Sequence, residues 1–331
     1  MGRLLNSLVV VGTSRKPAVR RLLPVVSLAL ATSLAWGCAA SHTTVVKPAG
    51  APVTLQTATQ QELIARYDQE AAAVTSLNAS IKLTLTAGSA YTGVIKQYHE
   101  VNGFILAQKP ASIRVIGQAP VVGTNIFDME SDGETFNVFI PSQHKFITGP
   151  ASLERKSAKP IENLRPQHLT SAIFWEPIPE RDPVLLEEAM EGNSQYYVLT
   201  VARPAREAGD ETARPDWEIT EKIWFDRADL SVARLQMYEA GGKLGSDIHY
   251  GGWDTFETVR YPRQISIARP GEDYKLDIGI TKLTLNEPIA ADRFVLHRPA
   301  GADLVNAGDE SQEMKPQDAA PQGAKVQGAK P

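Results

Sequence analysis

The sequence predicts an α+β, mostly β fold: a half-open antiparallel β-barrel with an N-terminal helix and a short lid helix over its concave apolar face. Three observations carry this expectation. The hydrophobic period shifts from 3.6 to 2 near Leu77 and stays there for most of the chain. The strand-like segments are separated by turns of two to five residues, too short for the crossover that a parallel pair needs. Only one later segment, Arg165 to Trp175, breaks the alternation with a helical apolar stripe.

The first element is a helix. Thr59-Gln60-Gln61-Glu62 has the form of a capping box, and Leu63, Tyr67, Ala71 and Val74 recur at helical spacing up to about Thr75. Beyond it, Ile81, Leu83 and Leu85 alternate with Lys82, Thr84 and Thr86, as in a half-buried strand. Further strands are expected over His99 to Gln108, Ser112 to Gly117, Thr124 to Glu130, Glu134 to Ile140 and Lys145 to Thr148. Lys109-Pro110, Ala119-Pro120, Ser131-Asp132-Gly133 and Ile140-Pro141-Ser142 punctuate them. In the interrupting segment Pro166 suits a first helical turn, and Leu169, Ile173 and Phe174 form the stripe of a helix lying across the sheet. Strands resume over Gln195 to Ala202, Trp217 to Asp226, Val232 to Glu239, Lys243 to Trp253, Tyr261 to Ala268 and Tyr274 to Leu285. Such a run can curl around a helix as a half-open barrel.

The chain divides as 1–37 export signal, 38–55 tether, 56–300 folded domain and 301–331 disordered tail. Arg15, Lys16, Arg20 and Arg21 precede an apolar run from Leu22 to Trp36, then Gly37 and the single cysteine, Cys38. A lone thiol forms no internal disulfide, so a basic stretch, a short apolar run and a Gly-Cys junction read as a lipoprotein signal that acylates Cys38. A buried structural thiol, an ordinary secretory signal cut nearby and a retained anchor stay open beside this reading. Ala39, not Asp, follows the cysteine, which in the Gram-negative sorting rule directs the lipoprotein to the outer membrane. Ser41 to Thr54 is small and polar, as a tether is, and the tail repeats Gln-Gly-Ala-Lys without aromatics. Removing residues 1–37 leaves 29 basic against 38 acidic residues, a net of −9, so no nucleic-acid partner is implied.

No nucleophile elbow, phosphate-binding loop, zinc helix or Cys-x-x-Cys pair occurs, so neither an enzyme nor a metal site nor a cofactor is expected. His99-Glu100 and Asp247 with His249 fall on alternating strands, where solvent-facing residues are expected far more often than acid–base or metal pairs. Asp132-Gly133 and Gly271-Glu272-Asp273 read as hairpin turns over calcium loops. Phe136, Phe139, Trp175, Trp224, Phe225, Tyr238 and Trp253 could fill the barrel as core or line a cavity, and periodicity does not choose between the two.

The order of motifs resembles the LolA/LolB family of outer-membrane lipoprotein carriers and receptors, most closely its receptor branch. Gly103-Phe104, Lys109-Pro110, Ile113-Arg114-Val115 and Ala119-Pro120-Val121-Val122-Gly123-Thr124 are similar to the receptor's second and third strands and the loop after them. Asn163-Leu164, Leu169, Ile173-Phe174-Trp175 and Pro177 are similar to its lid segment. Tyr250-Gly251-Gly252-Trp253-Asp254 with Tyr261-Pro262 resembles the receptor's tract of strand, turn and proline, and Leu285-Asn286-Glu287-Pro288 with Phe294 resembles the final strand and exit of carrier-like relatives. The resemblance implies a protein on the periplasmic face of the outer membrane. It would hold acyl chains of lipoproteins or other lipids under Leu169, Ile173, Phe174 and Trp175 and receive its client from a periplasmic carrier. Val121 and Val122 would form a membrane-insertion loop, although packing against the barrel rim is the plainer reading of two valines in a turn. The same fold also serves envelope-stress sensors and glycolipid carriers, and a structural envelope lipoprotein with a filled barrel is the third possibility.

Overall fold

The computed structural model describes residues 54–88, 95–153, 165–205 and 217–307. Among the described residues fifteen strands form one sheet, and two α-helices accompany it. Helix α1, Gln60–Ala73, begins at the expected capping box: the Glu62 amide donates to the Thr59 hydroxyl at 3.3 Å, and the Thr59 amide donates to the Glu62 carboxylate at 2.8 Å. Leu63, Tyr67 and Ala71 form its buried stripe.

The strands are β1 (Ser76–Ala87), β2 (Lys96–Gln97), β3 (Val101–Gln108), β4 (Ser112–Gln118), β5 (Asn125–Ser131), β6 (Thr135–Ile140), β7 (Lys145–Pro150), β8 (Val184–Glu191), β9 (Ser194–Pro204), β10 (Trp217–Asp226), β11 (Val232–Glu239), β12 (Lys243–Phe256), β13 (Val259–Arg269), β14 (Tyr274–Leu285) and β15 (Asp303–Asn306). Helix α2, Pro166–Ile173, lies between β7 and β8 in sequence and has proline at its start, where a missing N–H costs nothing.

The spatial order is β15-β7-β6-β5-β4-β3-β1-β14-β13-β12-β11-β10-β9-β8, with β2 beside β1. β8 and β15 are the free edges, so the sheet does not close. This is the half-open, mostly antiparallel architecture that the alternation predicts. One pairing departs from the antiparallel expectation: β15 runs parallel to β7. The long connection after β14 removes the hairpin constraint and allows it. β15 also carries the folded chain past residue 300, the boundary expected for the domain.

Core rungs follow from register. Ile81 faces Ile280, Leu83 faces Ile278 and Leu85 faces Leu276 across β1 and β14, while Ile105 pairs with Val115 and Val115 with Met129. These side chains all project to one face and are buried there with the stripe of α1. Gly103 has a steric reason: a Cβ there would stand 2.6 Å from the Ile116 carbonyl oxygen across the ladder.

Candidate functional site

The concave face is occupied. Leu169, Ala172, Ile173, Phe174 and Trp175 come from α2 and its exit, and all are buried in the same cluster as Leu63, Tyr67, Ile223, Phe225 and Ile265. Trp175 stacks on Tyr67 of α1 with ring centres 5.5 Å apart and planes 8° from parallel. Its other neighbours are Tyr250, edge-on at 5.2 Å, and Trp253 at 6.0 Å. The four residues named from the sequence as cavity and lid candidates are therefore brought together, between α1 and the β12–β13 wall.

The barrel wall holds this segment by its backbone. A helix leaves its last carbonyls without intrahelical partners, and here side chains of the wall supply donors. Tyr250 donates to the Ala172 carbonyl at 3.0 Å and Tyr261 to the Ile173 carbonyl at 3.1 Å. Lys109 donates to the Trp175 carbonyl at 3.1 Å and to the Ala71 carbonyl at the end of α1 at 2.9 Å. Asp68 accepts from the Ile178 amide at 2.9 Å, fixing the exit. Burial pushes the Tyr250 and Tyr261 phenols above their ordinary range, so both keep the proton that they donate.

At the other end of α2, His168 Nδ1 lies 2.7 Å from the Tyr274 hydroxyl. Burial, with Arg269 and Arg165 nearby, lowers the His168 pKa to about 3, so the imidazole is neutral at physiological pH. On the wall, Glu221 shares a face of β10 with buried Ile223, and burial together with Glu176 and Asp182 raises its pKa against the opposing charge of Arg203.

Val121 and Val122 sit in the β4–β5 turn at 95% and 72% exposure. The turn is closed by the Ala119 amide donating to Thr124 and the Gly123 amide donating to Ala119, with Gly123 at φ +65°. His99 and Glu100 are exposed, and His249 stands half exposed with Nε2 3.5 Å from Asp247, which is itself paired with Arg234 at 2.6 Å. Asp132 accepts from the Glu134 and Thr135 amides in a hairpin turn, and Asp273 takes φ +60° in another. No cluster of three metal-ligating side chains occurs among the described residues. Phe136 and Phe225 are core, while Trp224 donates to Gln236 and lies under Arg234. Cys38 lies outside the described residues.

The tyrosine and lysine donors are what sequence reasoning missed. Tyr250 and Tyr261 stand inside quoted motifs, yet only the fold shows which carbonyls they reach, and Lys109 reads from sequence as a turn residue.

No family model matches the chain, and no curated protein matches it. Among solved structures it is similar to a LolA superfamily protein from Nitrosomonas europaea at 13% identity and a TM-score of 0.43, covering 72% of this chain and 99% of that one. It is also similar to a DUF1329 family protein from Desulfovibrio piger, at 15% identity and a TM-score of 0.45, covering 70% and 94%. A domain from Vibrio parahaemolyticus ascribed to outer-membrane lipoprotein sorting gives 9% identity and a TM-score of 0.43, again covering 70% and 94%. Identities and scores this low leave the functional argument to the chain's own geometry: an unclosed half-barrel whose interior holds the stripe of α1 and a lid segment bonded to the wall.

Proposed function

We propose that this protein binds acyl chains inside its half-barrel and takes part in the localisation or insertion of lipoproteins at the outer membrane. In this reading Cys38 carries the lipid anchor, the domain faces the periplasm, and a soluble periplasmic carrier delivers the client. The process is binding and transfer, with no covalent step.

The observation that carries the reading is that one short segment, Leu169 to Trp175, packs into the interior beside the stripe of α1 and is held at its end by side chains of the wall. Magnitudes favour exchange. Withdrawing four large apolar side chains costs roughly 6–12 kcal/mol at about 1.5–3 kcal/mol each. A chain of about 15 methylenes gains on the order of 12 kcal/mol at about 0.8 kcal/mol per CH₂. Near balance, the lid yields to an acyl chain and returns when the chain leaves.

A second reading rests on the same burial: a structural envelope lipoprotein whose barrel is permanently filled by its own side chains. Quenching by a dibrominated C18 fatty acid separates the two. Trp175 is expected to be quenched, and Trp175→Phe is expected to remove at least half of the signal. No quenching at any sub-micellar concentration would refute acyl binding and leave the filled barrel.

A further inference from the structure

We propose that the open cavity at the turn between β10 and β11 is a headgroup site for a lipid bearing a primary ammonium and a phosphodiester. The inference rests on the acyl-binding part of the reading above alone, and it names a phospholipid that the half-barrel takes besides an acylated protein, whose own lipid carries no phosphodiester.

The cavity, of about 470 Å³, is lined by Asp226, Asp229 and Ser231 of the turn and by Tyr250, Trp253 and Arg260 of the wall. Room exists because the remaining lining positions, Ala228, Ala233 and Gly251, are small. Tyr250 belongs to both places: it borders the cavity, and its hydroxyl accepts the Trp175 indole N–H at 2.9 Å. A chain that took the place of Trp175 would thus begin beside the cavity, which is where a headgroup must sit.

The side chains fit a zwitterion. Arg260 pairs with Asp229 at 2.5 Å and lies 5.0 Å from the centre of the Trp253 ring, and Glu70 and Arg66 of α1 add one further charge of each sign nearby. Asp226 uses one oxygen to cap its turn, accepting from the Ala228 amide at 2.8 Å. It has no ion-pair partner among the described residues. Two lining carboxylates against one guanidinium leave a negative charge in excess, which favours an ammonium. The Trp253 indole N–H is buried without an acceptor, and a buried donor left unmade is destabilising until an acceptor arrives. A phosphodiester oxygen supplies one when the Trp253 ring, which lines the cavity, turns its N–H toward it, within the field of Arg260. One lipid headgroup thus meets both Asp226 and Trp253.

The test compares palmitate, palmitoyl-lysophosphatidylethanolamine and palmitoyl-lysophosphatidylglycerol, each below its micellar concentration, by calorimetric titration of the full-length chain. Parental protein is expected to bind the ethanolamine lipid about tenfold tighter than the glycerol lipid. Asp226→Asn, which preserves the turn hydrogen bond, is expected to bring the ratio within about twofold while palmitate affinity stays unchanged. Trp253→Phe is expected to weaken both lysolipids. Palmitate binding with equal affinity for the two lysolipids, or a preference that survives Asp226→Asn, overturns the headgroup site alone. Failure of all three to bind overturns it together with acyl binding.

Discussion

The Tyr250 hydroxyl stands between two groups of the lid, accepting from the Trp175 indole at 2.9 Å and donating to the Ala172 carbonyl at 3.0 Å. One oxygen therefore satisfies a buried donor and a buried acceptor on the segment that fills the barrel. Tyr250→Phe orphans both while keeping the ring. A loss of roughly 1–3 kcal/mol in folding stability is expected from the unmade bonds. Acyl uptake is expected to accelerate, because the closed lid loses a bond that the open lid lacks in any case. Denaturant midpoints measure the first effect, and stopped-flow binding of a fluorescent fatty acid measures the second. Slower uptake in the variant would show that the hydroxyl does not restrain the lid.

Lys109 joins α1 to the exit of α2 by donating to the Ala71 carbonyl in the last turn of α1 and to that of Trp175. Lys109→Met keeps the apolar stem and removes the donors, so its effect on uptake should have the same sign as that of Tyr250→Phe. The two substitutions should combine less than additively, because both release the same segment. Strict additivity in the uptake rate would mean that the wall holds two independent elements.

His168 makes stability depend on pH. Its folded pKa of about 3 lies below the ordinary 6.5, so between these values the unfolded chain binds a proton that the folded chain refuses. Stability contributed by the neutral imidazole is present above pH 6.5 and falls as pH drops through the window, by up to about 1.4 kcal/mol per unit. Asp247, lowered to about 2 beside Arg234 and His249, adds its own loss only below about 3.8. Glu221, Glu70 and Glu130, with raised pKa values, act in the opposite direction. His168→Gln is expected to flatten the parental slope between pH 6.5 and 4.5 in urea titrations. An unaltered slope would place the acid sensitivity elsewhere.

Asn286 closes the C-terminal end of α1. From φ +61° its side-chain oxygen accepts from the Thr75 amide at 2.8 Å, and its amide donates to the Ala73 carbonyl at 2.8 Å, capping α1 from the end of β14. Asn286→Ala loses these two bonds and a third, from the Thr75 hydroxyl at 3.1 Å, and places alanine in the left-handed region, with about 1–3 kcal/mol of destabilisation expected. A glycine there should recover the backbone part only, and equal stability of the alanine and glycine variants would remove the conformational share of the argument.

Which features were legible from sequence follows from the range of the signal. The Thr59-Glu62 box, the alternation from Ile81 to Leu85 and the proline-started α2 are local, and each lies where the pattern puts it. Val184–Glu191 escaped notice because Leu, Glu, Ala and Met favour helix while its strand state comes from pairing with β9. Lys96–Gln97 and Asp303–Asn306 are too short to show a period. Trp224 and Phe225 are adjacent aromatics on opposite faces, so residue type alone did not sort wall from core. Apolar candidates for the lid were readable as a stripe, whereas the donors that hold it lie between 66 and 88 residues away in sequence.

Val121 and Val122 present the largest exposure of any large apolar side chains described, at the tip of the β4–β5 turn. Two neighbouring valines in water gain by entering the apolar edge of a bilayer, on the order of 1.5–3 kcal/mol each when fully buried. A tip that enters the headgroup boundary would bring the barrel mouth to the membrane and shorten the path of a departing chain through water. Charging the tip reverses that gain, since a carboxylate must shed hydration to follow. Because both side chains are so exposed, Val121→Glu with Val122→Glu is expected to change folding stability by no more than about 1 kcal/mol. It should leave fatty-acid affinity within about twofold and reduce delivery of an acylated client to liposomes by at least tenfold. Delivery at the parental rate would remove the insertion role, and a large loss of stability would instead mean that the valines pack on the rim.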